Sequence, residues 1–545
     1  MIKKTRAFVI FLLFLSAVTL CWQKVIELRA EEPRRAIVTS EMVISGEYIV
    51  PHICAWPYYN KPPLFNWVQA SFVHLSGSMD EWIMRLPGVL SYLITGLLVF
   101  FFTRKHLGVH SAIAAALVYY TGLDLLMYGT VNSGEIDLFY SLVVSLQIFV
   151  LFHFRGTKNW TGFYLVSYFL VAVGFLTKGL PSLPFQAFTI LAISIWDKNW
   201  KMLFQWQHFA GIAMLFILVG SYLFAFEQSD DVMAFLARQL KEASQRTGLE
   251  HSVWETTLQA ISFPFKVLGL LAPWSLIALL WYKKNIRLVV FSSKLVQFSA
   301  VFVVANIWLY WFSGDFKQRY LYMFLPFLSI IIGQTIIVFQ SRLKRASSWD
   351  KALGIWIISL ACLVWGLLLV PQTAELPSAV LKVVALSLLF VGILILRTKV
   401  PAVIVFALTL VSIRLISNLF FLPASQNASG LYYRETVKEM VELTDGNSIH
   451  MVGRPYQFTT EMAIGPINFG DVTMTTASQF AFQIPYYTTL YTGKRMEFTT
   501  EVKPEQYYIA RKVFHKSIGA PGEVIYTYRD RWTSHKFVLF IQRWH

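Results

Sequence analysis

Charge is what this sequence has least of: only 14% of its residues are Asp, Glu, Lys or Arg, against about a quarter in a soluble domain. With 56% hydrophobic residues and a mean hydropathy of +0.53, that scarcity excludes an ordinary soluble globule. It puts repeated apolar runs of about 20 residues in a bilayer. Cysteine is scarce as well. Cys21, Cys54 and Cys362 lie far apart, two of them in apolar runs, so neither a disulfide framework nor a thiolate metal site is expected. Lys3, Lys4 and Arg6 precede an apolar run in the manner of a signal peptide, but no small-residue cleavage site follows. An uncleaved first helix is the expectation. No internal repeat of fixed period is evident.

What is there is a series of about thirteen candidate membrane spans. They lie near 7–27, 84–103, 109–128, 137–154, 161–177, 180–196, 207–227, 259–282, 296–313, 319–340, 352–371, 378–396 and 401–423. With the N-terminus in the cytoplasm, every inside loop is basic. These loops carry Arg104 and Lys105, Arg155 and Lys158, Lys198 and Lys201, then Lys283, Lys284 and Arg287, then Arg342, Lys344 and Arg345, then Arg397 and Lys399. That is the positive-inside pattern. Much of the formal net charge of +16 is therefore a topology signal, and no nucleic-acid partner is expected. The same count puts the loop 28–83, the turns near 129–136, Lys178 and 314–318, the loop 228–258 and the tail outside. The chain thus divides into a transmembrane domain, 1–423, whose loop 28–83 carries interfacial helices, and an extracytoplasmic domain, 424–545. In the latter, strand-like runs such as "EVIYTYRDRWTSHKFVLFIQRW" indicate a small α/β or β-rich fold.

The unusual charges gather on the outer side. "RAEEPRRAIVTSEM" (29–42) holds Glu31, Glu32, Arg34 and Arg35, and "PYYNKPPLFNW" holds Tyr58 and Lys61. Glu135 and Asp137 open the fourth span, Lys178 ends the fifth, and Asp315, Lys317, Arg319 and Tyr320 precede or open the tenth. Pro33 suits a first helical position and Gly46 a C-cap, so a helix is expected at about 33–45. The two glutamates would sit at its positive end, and its amphipathic pattern suits lying along the membrane interface. Singly, each feature has an ordinary reading: a solvated acidic loop, a snorkelling lysine, an N-cap aspartate. Together they supply carboxylates able to handle an acceptor hydroxyl and cations able to hold a phosphate. That combination suits a reaction with a lipid phosphate as leaving group. Arg238, Lys241 and Arg246 read as surface charges of an amphipathic segment. Arg414, inside the last span, is functional by default, with no partner evident.

At these residues the chain resembles the GT-C superfamily of polyprenyl-phosphate-sugar glycosyltransferases, in particular the 4-amino-4-deoxy-L-arabinose transferase and protein O-mannosyltransferase group. The likeness rests on "EEPRRAIVTSEMVISGEYIVP", "YYNKPPLFNW" and "GEID", with "KQRYLYMFLP" in support. It covers the first 180 residues well, the later spans by topology and the tail poorly. The resemblance implies a polytopic GT-C fold of about thirteen transmembrane helices with a small C-terminal α/β domain. It implies Glu31, Glu32 and Asp137 as catalytic carboxylates. It implies Arg34, Tyr58, Lys61 and Tyr320 as donor-phosphate ligands, with Lys178 and Arg319 added by their position. The chain departs from the family in two places: Glu31 stands where aspartate is usual, and Met323 where proline is common. Which of Glu31 and Glu32 reaches the acceptor is open.

The expected function is inverting transfer of a sugar from a polyprenyl (undecaprenyl) phosphate to an extracytoplasmic acceptor, most simply a lipid such as lipid A. A protein acceptor, as in O-mannosylation, is the alternative. A lipid-linked-sugar flippase would want midplane charges and repeated broken helices, neither of which is seen, and a mere membrane-anchored sensor needs no thirteen spans. The protein is expected as a monomer in a bacterial inner membrane, with the site and tail periplasmic. No cofactor is required and no ligand spacing demands a metal, although Glu and Asp side chains could hold a divalent ion.

Overall fold

The computed structural model describes residues 2–127, 134–244, 253–313, 317–342, 346–429, 431–453, 467–469, 472–474, 480–499, 501–515, 522–531 and 534–543. Asp315, Arg246, Lys344 and Arg345 lie outside the described residues. The chain forms two compact units. One comprises Met1–Val25, Pro87–Leu223 and Gln239–Ala428, and the other Ile26–Leu86, Phe224–Arg238 and Ser429–His545.

The first unit is helical. Among the described residues, nine helices are long and apolar enough to cross a membrane, or ten if Trp254–Leu270 and Trp274–Tyr282 form one broken span bent by 118°. The sequence suggested about thirteen, and the difference has local causes. Spans expected at 84–103 and 109–128 are two helices that meet at Gly108, whose φ of 82° is non-helical, within Glu81–Tyr120, a stretch that counts once among the nine. Ser182–Trp196 has 15 residues, about 22 Å of helix against a hydrocarbon core of about 30 Å. The first helix, Ile2–Leu20, is 19 residues long but carries Lys3, Lys4 and Arg6 in its first turns.

The helices differ in enclosure. The most apolar windows of Gln318–Gln340 and Asp137–Thr157 are 83% and 72% buried, whereas those of Trp206–Glu227 and Asp350–Leu369 are 22% buried. The former line the centre, and the latter present apolar side chains outward, as lipid-facing helices do. Close approach at the centre needs small residues: a Cβ on Gly333 would lie 2.5 Å from the backbone nitrogen of Ala115.

The second unit joins the segment 26–86 to the tail. Its five-stranded sheet runs in the order Glu497–Thr499, Ile449–Val452, Tyr507–Arg511, Lys536–Ile541, Glu523–Arg529. Ile449–Val452 pairs parallel with both neighbours, and Lys536–Ile541 pairs antiparallel with both of its own. Alternation along Tyr507–Arg511 sends Tyr508 and Ala510 into a small cluster with Val538 and Phe540. Ile509, with Leu539, faces a larger core that includes Leu28, Ala36, Ile37, Met42, Ile53, Tyr58 and Ile83. The segment read as an outer loop therefore supplies a large share of a hydrophobic core.

That packing changes the expected interfacial helix. It exists as Glu32–Ser45, with Pro33 in the first turn and Gly46 (φ 74°) closing it by an N–H bond to the Met42 carbonyl. It does not lie along a surface, however: ten of its residues, Glu32 to Met42 except Arg34, are buried. Part of its polar face is satisfied internally. Thr39 donates to Gln69, Asn66 donates to Thr39 and to the Arg35 carbonyl, and Glu41 accepts from the Cys54 and Ala55 amides.

Candidate functional site

In the second unit the two adjacent glutamates have different surroundings. Glu32 is 1% exposed. Its carboxylate meets Arg85 twice, at 2.8 and 3.0 Å, and also accepts from the Arg29 amide at 3.0 Å. Arg85, fully enclosed, further donates to the Ile26 and Glu27 carbonyls. The bidentate pair is the geometry that makes a buried carboxylate tolerable. Glu31, one residue earlier at the N-cap, has a side chain 29% exposed and pairs with Arg34 at 2.8 Å. Arg34 in turn lies 4.7 Å over the ring of Phe482, a residue of the tail. Glu31 is thus the glutamate that keeps access to solvent, braced from one side by Arg34.

Tyr58 and Lys61, expected as phosphate ligands, are both buried. The Tyr58 hydroxyl accepts from Arg35 at 3.2 Å. The next two residues hold the segment 224–238: Tyr59 donates to Asp230 at 2.8 Å, and Arg238 donates to Asn60 at 2.9 Å. Arg238, read from sequence as a surface charge, is therefore a bonded one.

Two more carboxyls of this unit went unnoticed in the sequence. Burial raises Glu27 to about 7, an effect strengthened by Glu81 and opposed by the Tyr433 and Arg434 amides and the Arg434 charge. Burial likewise raises Glu41 to about 7 against the pull of the Ala55 and Cys54 amides. Glu81 pairs with Arg434 and accepts from Tyr487, so this charge network ties the 26–86 segment to the tail. The signal for it lay in "EWIMR", an acid and a base four residues apart at the mouth of an apolar run.

In the helical unit, Asp137, Lys178, Arg319 and Tyr320 come together, with Glu135. Asp137 stands at the N-terminus of Asp137–Thr157 and Lys178 at the C-terminus of Trp160–Lys178, each favoured there by the helix dipole. Their ion pair is 2.5 Å long. Arg319 reaches the other Asp137 oxygen at 3.2 Å and Glu135 at 2.9 Å. The Lys178 ammonium lies 4.9 Å from the Tyr320 ring and 5.0 Å from that of Tyr140. Two carboxylates thus meet two cations between aromatic faces, a cluster able to hold or release an anion by shifting partners. Tyr322, two residues on, donates to Asp124, and its carbonyl accepts from Ser141, fixing the turn that carries Arg319 and Tyr320. Arg414 gains a partner as well, donating to the Met127 carbonyl at 3.1 Å. Among the described residues, no three His, Cys, Asp or Glu side chains are grouped to hold a metal ion.

Several known proteins similar to this chain are named as transferases. The dolichyl-phosphate-mannose-protein mannosyltransferase family model matches residues 60–223, which include Lys61, Asp137 and Lys178. The undecaprenyl phosphate-alpha-4-amino-4-deoxy-L-arabinose arabinosyl transferase of Edwardsiella ictaluri is 28% identical over 191 residues, 34% of each chain. An uncharacterized protein of Aquifex aeolicus is 26% identical over 64% of this chain and 76% of its own. The chain spans about a third of the length of the arabinosyl transferase it matches. The crystal structure of ArnT from Cupriavidus metallidurans bound to undecaprenyl phosphate superposes with a TM-score of 0.66 at 16% identity, covering 97% of both chains. The resemblance to the GT-C polyprenyl-phosphate-sugar glycosyltransferases is borne out by these likenesses, and the fold is that of the ArnT structure: a polytopic helical membrane protein with a small C-terminal sheet domain.

Proposed function

We propose that this chain transfers a sugar from a polyprenyl phosphate to an acceptor at the outer face of a bacterial inner membrane, with inversion at the anomeric carbon. The observation that carries this reading is Glu31: a partly exposed carboxylate on a helix N-terminus, braced by Arg34, beside a neighbouring glutamate that is buried against Arg85. The acceptor oxygen attacks the anomeric carbon from the side opposite the phosphate. The carbon–oxygen bond to phosphate breaks, and the polyprenyl phosphate leaves with the electron pair. Such a leaving group needs cations and no strong acid, which suits Lys61 and Arg34, with Tyr58, in the second unit. Glu31 takes the proton of a hydroxyl acceptor, or orients an acceptor that is already ionised. Glu32, held by Arg85, positions the helix start, and Asp137 sets the partners of Lys178 and Arg319.

The arabinosyl transferases among the relatives favour a lipid acceptor such as lipid A; the mannosyltransferase family model favours a protein. Mass spectrometry of lipid A and of surface glycoproteins, with and without the protein, separates the two. A hexose-, pentose- or aminosugar-sized increment on one class, lost with Glu31→Gln, is the expected result. An unchanged profile in both classes would remove the transferase reading.

A further inference from the structure

Arg35 was expected only as one of several outer-face cations. It is 4% exposed, on the buried side of Glu32–Ser45, and its two terminal amino groups are unequal. Nη2 donates to the Tyr58 hydroxyl at 3.2 Å. Nη1 is shielded from solvent and has no hydrogen-bond partner. No carboxylate among the described residues lies within 4.0 Å of it, whereas the equally buried Arg85 has both oxygens of Glu32. A buried guanidinium without a counter-ion is costly, and evolution removes such a group unless something satisfies it. Its placement is also rigid. Asn66 donates to the Arg35 carbonyl at 3.0 Å and to Thr39 at 2.9 Å, and the guanidinium carbon stands 5.6 Å from the Tyr58 ring centre. A fixed planar donor with one unmade bond matches a phosphate oxygen.

We infer that Arg35 binds a substrate phosphate through Nη1, the phosphate coming from the polyprenyl donor or from a phosphorylated acceptor. This rests on the transferase reading above and adds to it a ligand that neither Arg34 nor Lys61 supplies. The protein as a full chain in nanodiscs is titrated with undecaprenyl phosphate and, as the uncharged control, undecaprenol. Arg35→Met weakens binding of the phosphate by about ten- to a hundred-fold and leaves undecaprenol unchanged. Arg35→Lys, which keeps the charge and so preserves folding, weakens it by several-fold, because one ammonium cannot serve Tyr58 and a phosphate at once. If donor binding holds, the second arm titrates bisphosphorylated and dephosphorylated lipid A; a loss confined to the phosphorylated form assigns Arg35 to the acceptor. Wild-type affinity of Arg35→Lys in both arms overturns the inference and leaves a structural cation satisfied by water. Lys61→Ala keeps the two levels apart. If it weakens donor binding while the Arg35 variants do not, only Arg35 is reassigned; if it too has no effect, the donor reading itself fails.

Discussion

The two charged clusters of this protein solve opposite problems. In the helical unit, Glu135 and Asp137 meet Lys178 and Arg319 between the rings of Tyr140 and Tyr320, with Asp137 and Arg319 on the two most enclosed of its candidate spans. Acid and base match there, so the cluster can exist in a low-dielectric setting without a ligand. In the second unit, Glu31 pairs with Arg34 and Glu32 with Arg85, while the buried Arg35 has the Tyr58 hydroxyl and no carboxylate among the described residues, so cations are in excess. A balanced cluster stabilises its surroundings and yields an anion site only by exchanging partners. An unbalanced one is poised for an anion at a standing energetic cost.

The sharpest way to break this comparison is to unbalance the balanced cluster. Asp137→Ala leaves Lys178 and Arg319 enclosed without their shared carboxylate and should destabilise the helical unit by about 3–5 kcal/mol. Thermal unfolding in detergent reads this directly. Adding Lys178→Met to that variant restores part of the stability, whereas Lys178→Met alone destabilises. Additive losses in the double variant would mean that the 2.5 Å pair is not coupled.

A smaller effect separates the neighbouring glutamates. Glu32→Gln weakens a bidentate buried pair with Arg85 and should cost about 3 kcal/mol. Glu31→Gln changes stability by less than about 0.5 kcal/mol, as expected for a partly exposed pair, while lowering transfer about a hundredfold or more. Swapped outcomes, with Glu32 governing rate and Glu31 stability, would reverse the assignment.

Local signals carried most of what the sequence revealed. Pro33 and Gly46 bounded the helix at about 33–45, and the structure has Glu32–Ser45. The alternating run near the C-terminus became the strands Glu523–Arg529 and Lys536–Ile541. The cluster around Asp137 was readable because helix ends and family motifs mark its members. What stayed hidden was long-range or against local preference. Arg85 lies 53 residues from Glu32, and Phe482 lies in a tail with no family motif. The hairpin His52–Pro57 turns on Cys54 and Ala55, both at positive φ, where Gly or Asn is the usual marker; Glu41 holds the turn by accepting both amides. Nothing within six residues announces such a device.

Proton linkage gives the third test. Glu27 and Glu41 are both raised from 4.5 to about 7, so between those values the folded state holds protons that the unfolded chain has released. Stability of the second unit therefore falls as pH rises from about 4.5 to about 7, and above that the loss is complete. Each group accounts for on the order of 3 kcal/mol. Glu27→Gln and Glu41→Gln should each flatten that slope in chemical denaturation followed at pH 5, 6 and 7.5. A variant with the wild-type slope would show that its carboxyl does not titrate there.

The smallest expected effect asks what the tail does for Glu31. Phe482 offers its ring face to Arg34 at 4.7 Å, and Arg34 braces Glu31 at 2.8 Å. Phe482→Leu keeps the apolar volume and removes the cation–π attraction, about 0.5–1 kcal/mol at a partly exposed site. If the tail positions the carboxylate, transfer should drop several-fold with little change in donor affinity, and Phe482→Tyr, which retains a ring face, should restore it. A loss of stability with unchanged transfer would instead make the Phe482 contact simple packing. The unbalanced cluster would then be complete within 26–86, and the tail would serve it only through the shared hydrophobic core.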